Sequence, residues 1–412
     1  MNTTLQGGWL TWLKFAAQNT LRNRRRSAVT ASIAALGTAA ILLAGGFALY
    51  TYEALAQAAA RDTGHLVLGQ PAQFTEDEDV TLQHGLQGVD ALRQALLADP
   101  QVRQVLPKVT YSGLISNGDK STVMMAIGVD PDAEFAVKGP FLTIKSGHVM
   151  SGEPGADEVM LGHDLARSLK ATPGSSLTLL AATTEGAMNA VDVKVAGTFS
   201  TGVPEMDKRM VYTSVSTAQR LLVTDKVSSL GVFLDRMDAT PGAQARLAAQ
   251  HPALTVQTWE DQAFFYRAVR NLYNRIFGAL GLIIGVIVVF VVTNAMAMAI
   301  IERTREIGTL RALGTLPGQL LRSLGLEGML LGGVGTVAGA LLALGLSLLL
   351  YVVPVDMPPP PGRSESYPLL VSIDPTLYAL TMVAMVLLTL VASVVVARKT
   401  VHLPVVDALA HT

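Results

Sequence analysis

Residues Ile301 to Gly314 read I-E-R-T-R-E-I-G-T-L-R-A-L-G, a dense charged segment directly behind a long apolar run. That run, residues 276–301, holds no charged side chain and exceeds the roughly 20 residues needed to cross the hydrocarbon core of a bilayer. The charges that follow are therefore expected at a membrane surface. They read as a short helix with Ile307, Leu310 and Gly314 at helical spacing on one side. A polar helix pinned at the cytoplasmic end of a span takes force from a soluble partner. The segment points to a transport or force-transmitting machine rather than to an enzyme.

Composition agrees with a membrane protein that carries one substantial soluble part. The chain has 412 residues, half of them apolar and only 15% charged, where a soluble protein would carry roughly a quarter charged residues. The mean hydropathy is +0.40. A net charge of -1 argues against a general nucleic-acid binder, which would show a basic excess. The chain has no cysteine, which removes disulfides, thiolate zinc sites and a cysteine nucleophile. A domain outside the cell must be held by its core alone.

Four stretches are long enough to span: residues 27–50, 276–301, about 328–353, and 377–397. The basic residues set their orientation. Lys14, Arg22, Arg24, Arg25 and Arg26 precede the first span. Arg303, Arg305, Arg311 and Arg322 lie between the second and third, and Arg398 and Lys399 follow the fourth. The short loop 354–375 has only Arg363. Both termini and the charged helix are thus expected in the cytoplasm, with the long segment after the first span outside. Arg267, Arg270 and Arg275 run against the rule, but long domains translocate largely regardless of charge. The first span reads as an uncleaved anchor, because its apolar run is longer than a signal core. Ahead of it, Trp9, Trp12, Leu13, Ala16 and Ala17 are at helical spacing and predict an interfacial helix on the cytoplasmic leaflet.

The segment from about 63 to 258 alternates between strand and helix patterns. Residues 65–68, 123–127, 177–180, 191–195 and 232–234 read as strands. Residues 89–97, 163–169, 217–222 and 243–249 read as helices. The acidic run Glu76–Asp79 reads as a solvated loop. The fold class that follows is an α-helical membrane protein with four transmembrane helices and a large α+β extracytoplasmic domain between the first and second spans. Residues 50–60 continue the first span without a breaker, and residues 259–273 lead into the second the same way. Two helices are expected to form a stiff stalk.

Tests for chemistry fail. Gly113 to Ser121 approaches a phosphate loop, but Asp119 separates Gly118 from Lys120 where the motif needs Gly-Lys. The segment reads as a turn. His148, His163 and Asp164 read as surface residues rather than metal ligands. No catalytic residue, bound metal or resident cofactor is assigned. In the third span, Gly328 and Gly332 are four apart, as are Gly335 and Gly339. That spacing lets helix backbones approach closely in lipid, as a seam within the subunit or across a dimer. Glu327, at the inner boundary of the span, needs a partner, for which Arg311 and Arg322 are candidates.

The segment Glu302–Gly314, followed by Glu327 and Gly328 at the head of a glycine-rich span, resembles the FtsX/MacB/LolC-LolE permeases, the membrane subunits of mechanotransmitting ABC transporters. T-G-H-L at Thr63, I-G-V-D-P at Ile127, V-M-L-G-H-D-L-A at Val159 and G-T-F-S-T-G at Gly197 are similar to the core domain of the lipoprotein-releasing permeases. The resemblance implies an ATPase-coupling helix made by Glu302, Arg303, Arg305, Glu306, Gly308, Leu310, Arg311 and Gly314. It implies a separate cytoplasmic ATPase that binds ATP and Mg, and a dimer with a second copy or a related permease. Its cargo would be an amphiphile, a lipoprotein or lipid, passed to a periplasmic carrier or adaptor.

The division implied is an interfacial helix (1–26), the first span and stalk (27–62), a periplasmic MacB-like core domain (63–258), stalk and second span (259–301), and the coupling region (302–322). The third span (323–353), a proline-rich periplasmic loop (354–375), the fourth span (376–397) and a cytoplasmic tail (398–412) complete it. The location implied is a bacterial inner membrane. Met357–Gly362, with four prolines in a row, departs from the family pattern and favours an extended segment, either a docking element or a rigid spacer. FtsX-like signalling to an external partner and MacB-like efflux with an adaptor are the alternative functions.

Overall fold

The computed structural model describes residues 18, 24–75, 81–138, 142–153, 155–357 and 366–402. The expected interfacial helix, the acidic run, the prolines 358–361 and the tail from 403 lie outside the described residues, apart from Gln18. In chain order the elements begin with α1 (Arg24–Thr63), β1 (Leu66–Gly69), α2 (Pro71–Thr75), α3 (Val89–Leu97), β2 (Val102–Ser116) and β3 (Ser121–Val129). Then come α4 (Pro131–Lys138), β4 (Thr143–Gly147), β5 (Glu158–Gly162), α5 (His163–Ser168), β6 (Ser176–Ala182), β7 (Met188–Ser200) and α6 (Pro204–Asp207). They are followed by β8 (Met210–Ser214), α7 (Val215–Leu222), β9 (Ser229–Leu234), α8 (Thr240–Gln250), β10 (Thr255–Thr258) and α9 (Trp259–Gln262). The remaining elements are α10 (Phe264–Ile301), α11 (Thr304–Ala312), α12 (Pro317–Val352), β11 (Asp356–Met357), β12 (Tyr367–Pro368) and α13 (Pro375–Val401). The chain divides into two units, one built from the apolar helices and one spanning Ala54–Val269 with Met357–Tyr367.

In the second unit the strands join in the order β10-β1-β9-β2-β3-β8-β5-β7-β4, and β6 pairs with both β2 and β7. The pairing β2-β3-β8-β5-β7-β6 therefore returns to β2 and closes six strands into a barrel. Residues alternate between its inside and outside. Tyr111, Ile115, Met124, Ala126, Leu161, Leu179 and Val195 are buried in one cluster. Phe199, Tyr212, Met150 and, from α4, Phe135 form a second cluster. β2 is shared. Its first half pairs with β9 and extends into an open sheet with β1 and β10, while its second half belongs to the barrel. All five expected strands and all four expected helices of this segment coincide with observed elements.

The motif glycines sit where backbones meet. A Cβ on Gly162 would stand 2.2 Å from the Asp207 carbonyl oxygen. Asp207 in turn accepts from the Ser200 hydroxyl at 2.7 Å and the Thr201 amide at 2.9 Å. V-M-L-G and G-T-F-S-T-G thus converge on Asp207, the first against its backbone and the second on its buried carboxylate. Gly113 is not in a turn, as the sequence suggested, but in β2. The turn is confined to residues 117–120, where Asn117 Oδ1 accepts from the amides of Asp119 and Lys120.

The other unit contains four helices long and apolar enough to cross a membrane: Ser27–Thr63, Tyr266–Ile301, Pro317–Val352 and Pro375–Val401. They share a core of Val288, Val292, Met296, Leu331, Met385 and Ala392, with Ile33 and Ile41 packed against it. Large apolar side chains such as Phe290 and Leu380 point outward, as lipid-facing positions require. α12 starts well before the expected span, at Pro317. A proline in the first turn costs no helical hydrogen bond. α13 starts beside Asp374, whose Oδ1 accepts from the Leu377 amide at 2.6 Å.

α1 runs unbroken through residues 50–60, as expected. The approach to the second span differs. Thr258 and Asp261 form a capping box that starts a separate short helix, and Ala263 leaves helical geometry with ψ 67° before α10 begins. The break seats Trp259 edge-on to Tyr266 at 4.9 Å, with Ala60 buried in the same cluster.

Candidate coupling site

The charged segment becomes α11, a helix of nine residues. Its apolar side is short. Ile307 is buried with Ile300, Leu320, Leu324, Ala397 and Val401, which belong to α10, α12 and α13. Thr304 and Gly308 are buried beside it. Gly308 therefore faces the bundle rather than outward. Glu302, Arg305, Glu306, Thr309 and Leu310 are exposed.

Gly314 is not on the helix face with Ile307 and Leu310. It ends the helix with φ +95°. Its amide donates to the Arg311 carbonyl and that of Thr315 to the Leu310 carbonyl, each at 3.0 Å. This is the glycine-terminated closure that satisfies last-turn carbonyls. The turn leaves Leu313 79% exposed and Leu316 63% exposed. Neither leucine stood out in the sequence.

Arg303, the residue before α11, carries the central geometry. Its Nη1 donates to both carboxylate oxygens of Glu327 at 2.7 Å, and its Nε donates to Glu306 Oε2 at 3.1 Å. The Arg303 and Glu327 side chains are 12% and 14% exposed. The partner of Glu327 is therefore Arg303 and not Arg311 or Arg322. A largely buried charge pair of this kind fixes orientation, because separating it strands a charge. The start of α11 is tied to α12, and the pair sits beside a cavity of about 30 Å³ lined by Ser27, Met296, Gly328 and Ser393.

The four glycines of α12 pack within the chain, in two directions. Cβ atoms on Gly328 and Gly332 would stand 2.5 Å and 1.9 Å from Ser393 Cβ and Thr389 Oγ1 of α13. Those on Gly335 and Gly339 would stand 2.5 Å and 2.3 Å from the carbonyl oxygens of Ala31 and Ala35 of α1. Ser393 Oγ donates to the Leu324 carbonyl at 2.7 Å across the α12–α13 contact. α1 and α10 are joined further along. The Tyr52 hydroxyl donates to Asn274 Oδ1 at 2.6 Å, and Phe277 lies edge-on to Phe47 and Tyr52 at 5.9 and 5.8 Å.

An apolar four-helix unit with a charged helix held at one end by a largely buried ion pair, and a large α+β domain inserted after the first helix, is the architecture of a membrane permease subunit. Known proteins agree. The MacB-like periplasmic core domain matches residues 27–250, more than half of the chain, and the FtsX-like permease C-terminal domain matches residues 278–405. The chain belongs to the FtsX/MacB/LolC-LolE family of ABC transporter permeases. The lipoprotein-releasing system transmembrane protein LolC of Xylella fastidiosa is 25% identical over 328 residues, 78% of each chain. LolE of Haemophilus influenzae is 24% identical over 273 residues, 62% of this chain and 64% of its own. The macrolide export ATP-binding/permease protein MacB of Agrobacterium fabrum is 27% identical over 285 residues, 65% of this chain and 42% of its own. The family and the four apolar helices point to a multi-pass membrane protein.

Proposed function

We propose that this chain couples ATP hydrolysis by a separate cytoplasmic ATPase to movement of its external domain, and so extracts or expels a lipoprotein, lipid or other amphiphile. The observation that carries this reading is the Arg303–Glu327 pair. It holds α11 against the bundle while Arg305, Leu310 and Leu313 stay exposed to a partner. Closure of two ATPases would move the α11 helices of two permease subunits, identical or related, in a bacterial inner membrane with both termini cytoplasmic. ATP and Mg would be held by the ATPase.

The lipoprotein or lipid cargo is supported by the relatives named for lipoprotein release, one of which matches over 78% of its length. The named macrolide exporter matches over 42% of its own. The test is gentle detergent purification of the tagged chain from its own cells, with mass spectrometry of what stays bound. An ABC ATPase together with a lipoprotein or lipid supports the reading. An ATPase with a cell-wall hydrolase moves it to FtsX-like signalling, and no ATPase at all overturns it.

A further inference from the structure

The end of α1 is held on the external domain by contacts that the coupling site does not use. The last carbonyls of a helix have no partner within it. Gly64, at φ +96°, donates its amide to the Ala60 carbonyl at 2.8 Å. The Asp62 carbonyl, two residues further on, accepts from the Lys108 ammonium of β2. A cation at a helix C-terminus is favourable there. Lys108 is only 9% exposed, so its charge needs an answering one. Glu134 of α4, 1% exposed, places Oε1 3.7 Å from Lys108 Nζ.

On the other side no side chain fits between helix end and sheet. A Cβ on Gly64 would stand 2.9 Å from the Val232 nitrogen, and one on Gly231 would stand 2.7 Å from the Thr63 carbonyl oxygen. The Leu234 amide donates to His65 Nδ1 at 2.9 Å. The helix end is therefore gripped by β2 and β9, with α4 supplying the charge that answers Lys108.

We propose that Lys108 and Glu134 are positioning residues of a transmission joint, which welds the end of α1 to β2 and β9 so that displacement of the helix reaches the sheet without slip. The inference rests on the coupling reading above. Lys108 pairs in register with Ser229 of β9, and the same strand continues into the barrel, so one joint addresses both lobes of the domain.

Because the chain has no cysteine, spin labels can be placed at Gln57→Cys, Ser112→Cys and Lys194→Cys without removing any native thiol. Pulsed dipolar measurements on the full chain in lipid nanodiscs read the helix-to-sheet pair 57/112 and the within-sheet pair 112/194. Both pairs should give one sharp distance in the otherwise native chain. Lys108→Met and the isosteric Glu134→Gln should lose the sharp 57/112 distance and keep that of 112/194, and Lys108→Arg should keep both. A sharp 57/112 distance in both neutralised variants overturns the joint. So does joint loss of both distances, since the pair would then hold the whole core.

In the complex with its ATPase, the ATP-driven shift of a label at Ser112→Cys relative to Ser372→Cys should vanish in Lys108→Met while hydrolysis continues. A shift of native size there overturns the proposal. If the native complex shows no nucleotide-driven shift, the coupling reading fails, and the 57/112 measurement still decides the joint.

Discussion

Arg303 and Glu327 meet through two hydrogen bonds of 2.7 Å made by one guanidinium nitrogen, so the residue that leads into α11 is anchored to the third apolar helix. Breaking a fully buried pair from one side costs about 3–5 kcal/mol, and this partly exposed pair should fall at or below the lower end of that range. Glu327→Ala is expected to lower the thermal midpoint of the purified protein accordingly and to abolish stimulation of the ATPase. Replacing both residues, as Arg303→Met with Glu327→Leu, should recover most of the midpoint but not the stimulation. Thermal unfolding in detergent alongside ATP hydrolysis by the reconstituted complex checks both outcomes.

The exposed end of α11 should behave in the opposite way. Leu313 is 79% exposed, and a polar substitution at such a position changes stability by less than about 0.5 kcal/mol. Leu313→Asp is expected to leave the midpoint unchanged and to weaken ATPase association at least about tenfold, or about 1.4 kcal/mol. Arg311→Glu should abolish stimulation with the external domain still folded. Pull-down of the ATPase and circular dichroism separate binding from folding, and normal association in Leu313→Asp would remove that leucine from the interface.

The glycines of α12 differ sharply in what surrounds them. A Cβ at Gly335 would lie 2.5 Å from the backbone oxygen of Ala31, so Gly335→Ala must push α1 away. Overpacking of this kind costs about 1–3 kcal/mol. Gly333 has nothing within 4 Å, and Gly333→Ala should leave the midpoint where it was. Equal effects in the two variants would mean that the α1–α12 contact is looser than the geometry indicates.

Burial holds the His65 imidazole below its ordinary pKa, and its Nδ1 accepts a backbone hydrogen bond only when unprotonated. The folded chain thus takes up this proton at a lower pH than the unfolded chain does. The stabilisation it gives is complete above the unfolded value of about 6.5 and is lost as pH falls below that value toward the folded pKa. Thermal midpoints measured from pH 8 to pH 5 should fall more steeply for the native chain than for His65→Gln. Parallel curves would assign the pH dependence to other groups.

The four apolar helices were legible in the sequence because lipid accepts no unpaired backbone and few charges, so the constraint is written in consecutive residues. Short helices and strands with regular apolar spacing, such as Val89–Leu97 and Ser176–Ala182, were legible for a similar local reason. β2 was not. Pro107 interrupts its pattern, and a proline within a run argues against a strand. It is accommodated opposite Leu230, near the point where β2 passes from one lobe to the other. Closure of the barrel rests on Leu114 meeting Leu180, a contact between segments far apart in the chain.

The partner of Glu327 was misjudged for the same reason. Arg311 and Arg322 are nearer in sequence, but packing of α10 beside α12 delivers Arg303. The break at Ala263 has no glycine or proline to announce it. Only the cap made by Thr258 and Asp261 carried a local signal. Gly314 was read by periodicity as part of a helix face, whereas its positive φ makes it the terminator.

The ring β2-β3-β8-β5-β7-β6 has a consequence for molecules that work side by side. A strand with an unpaired edge invites a neighbour's strand to add to it or exchange with it, and full closure removes that edge. Among the described residues, the strands left at the ends of the sheet are β10, of four residues, and β4, of five. β4 carries a register irregularity and an exposed lysine, Lys145. A second molecule pressed against this domain therefore meets short or irregular strands at the ends of its sheet, which are poor templates for adding a strand.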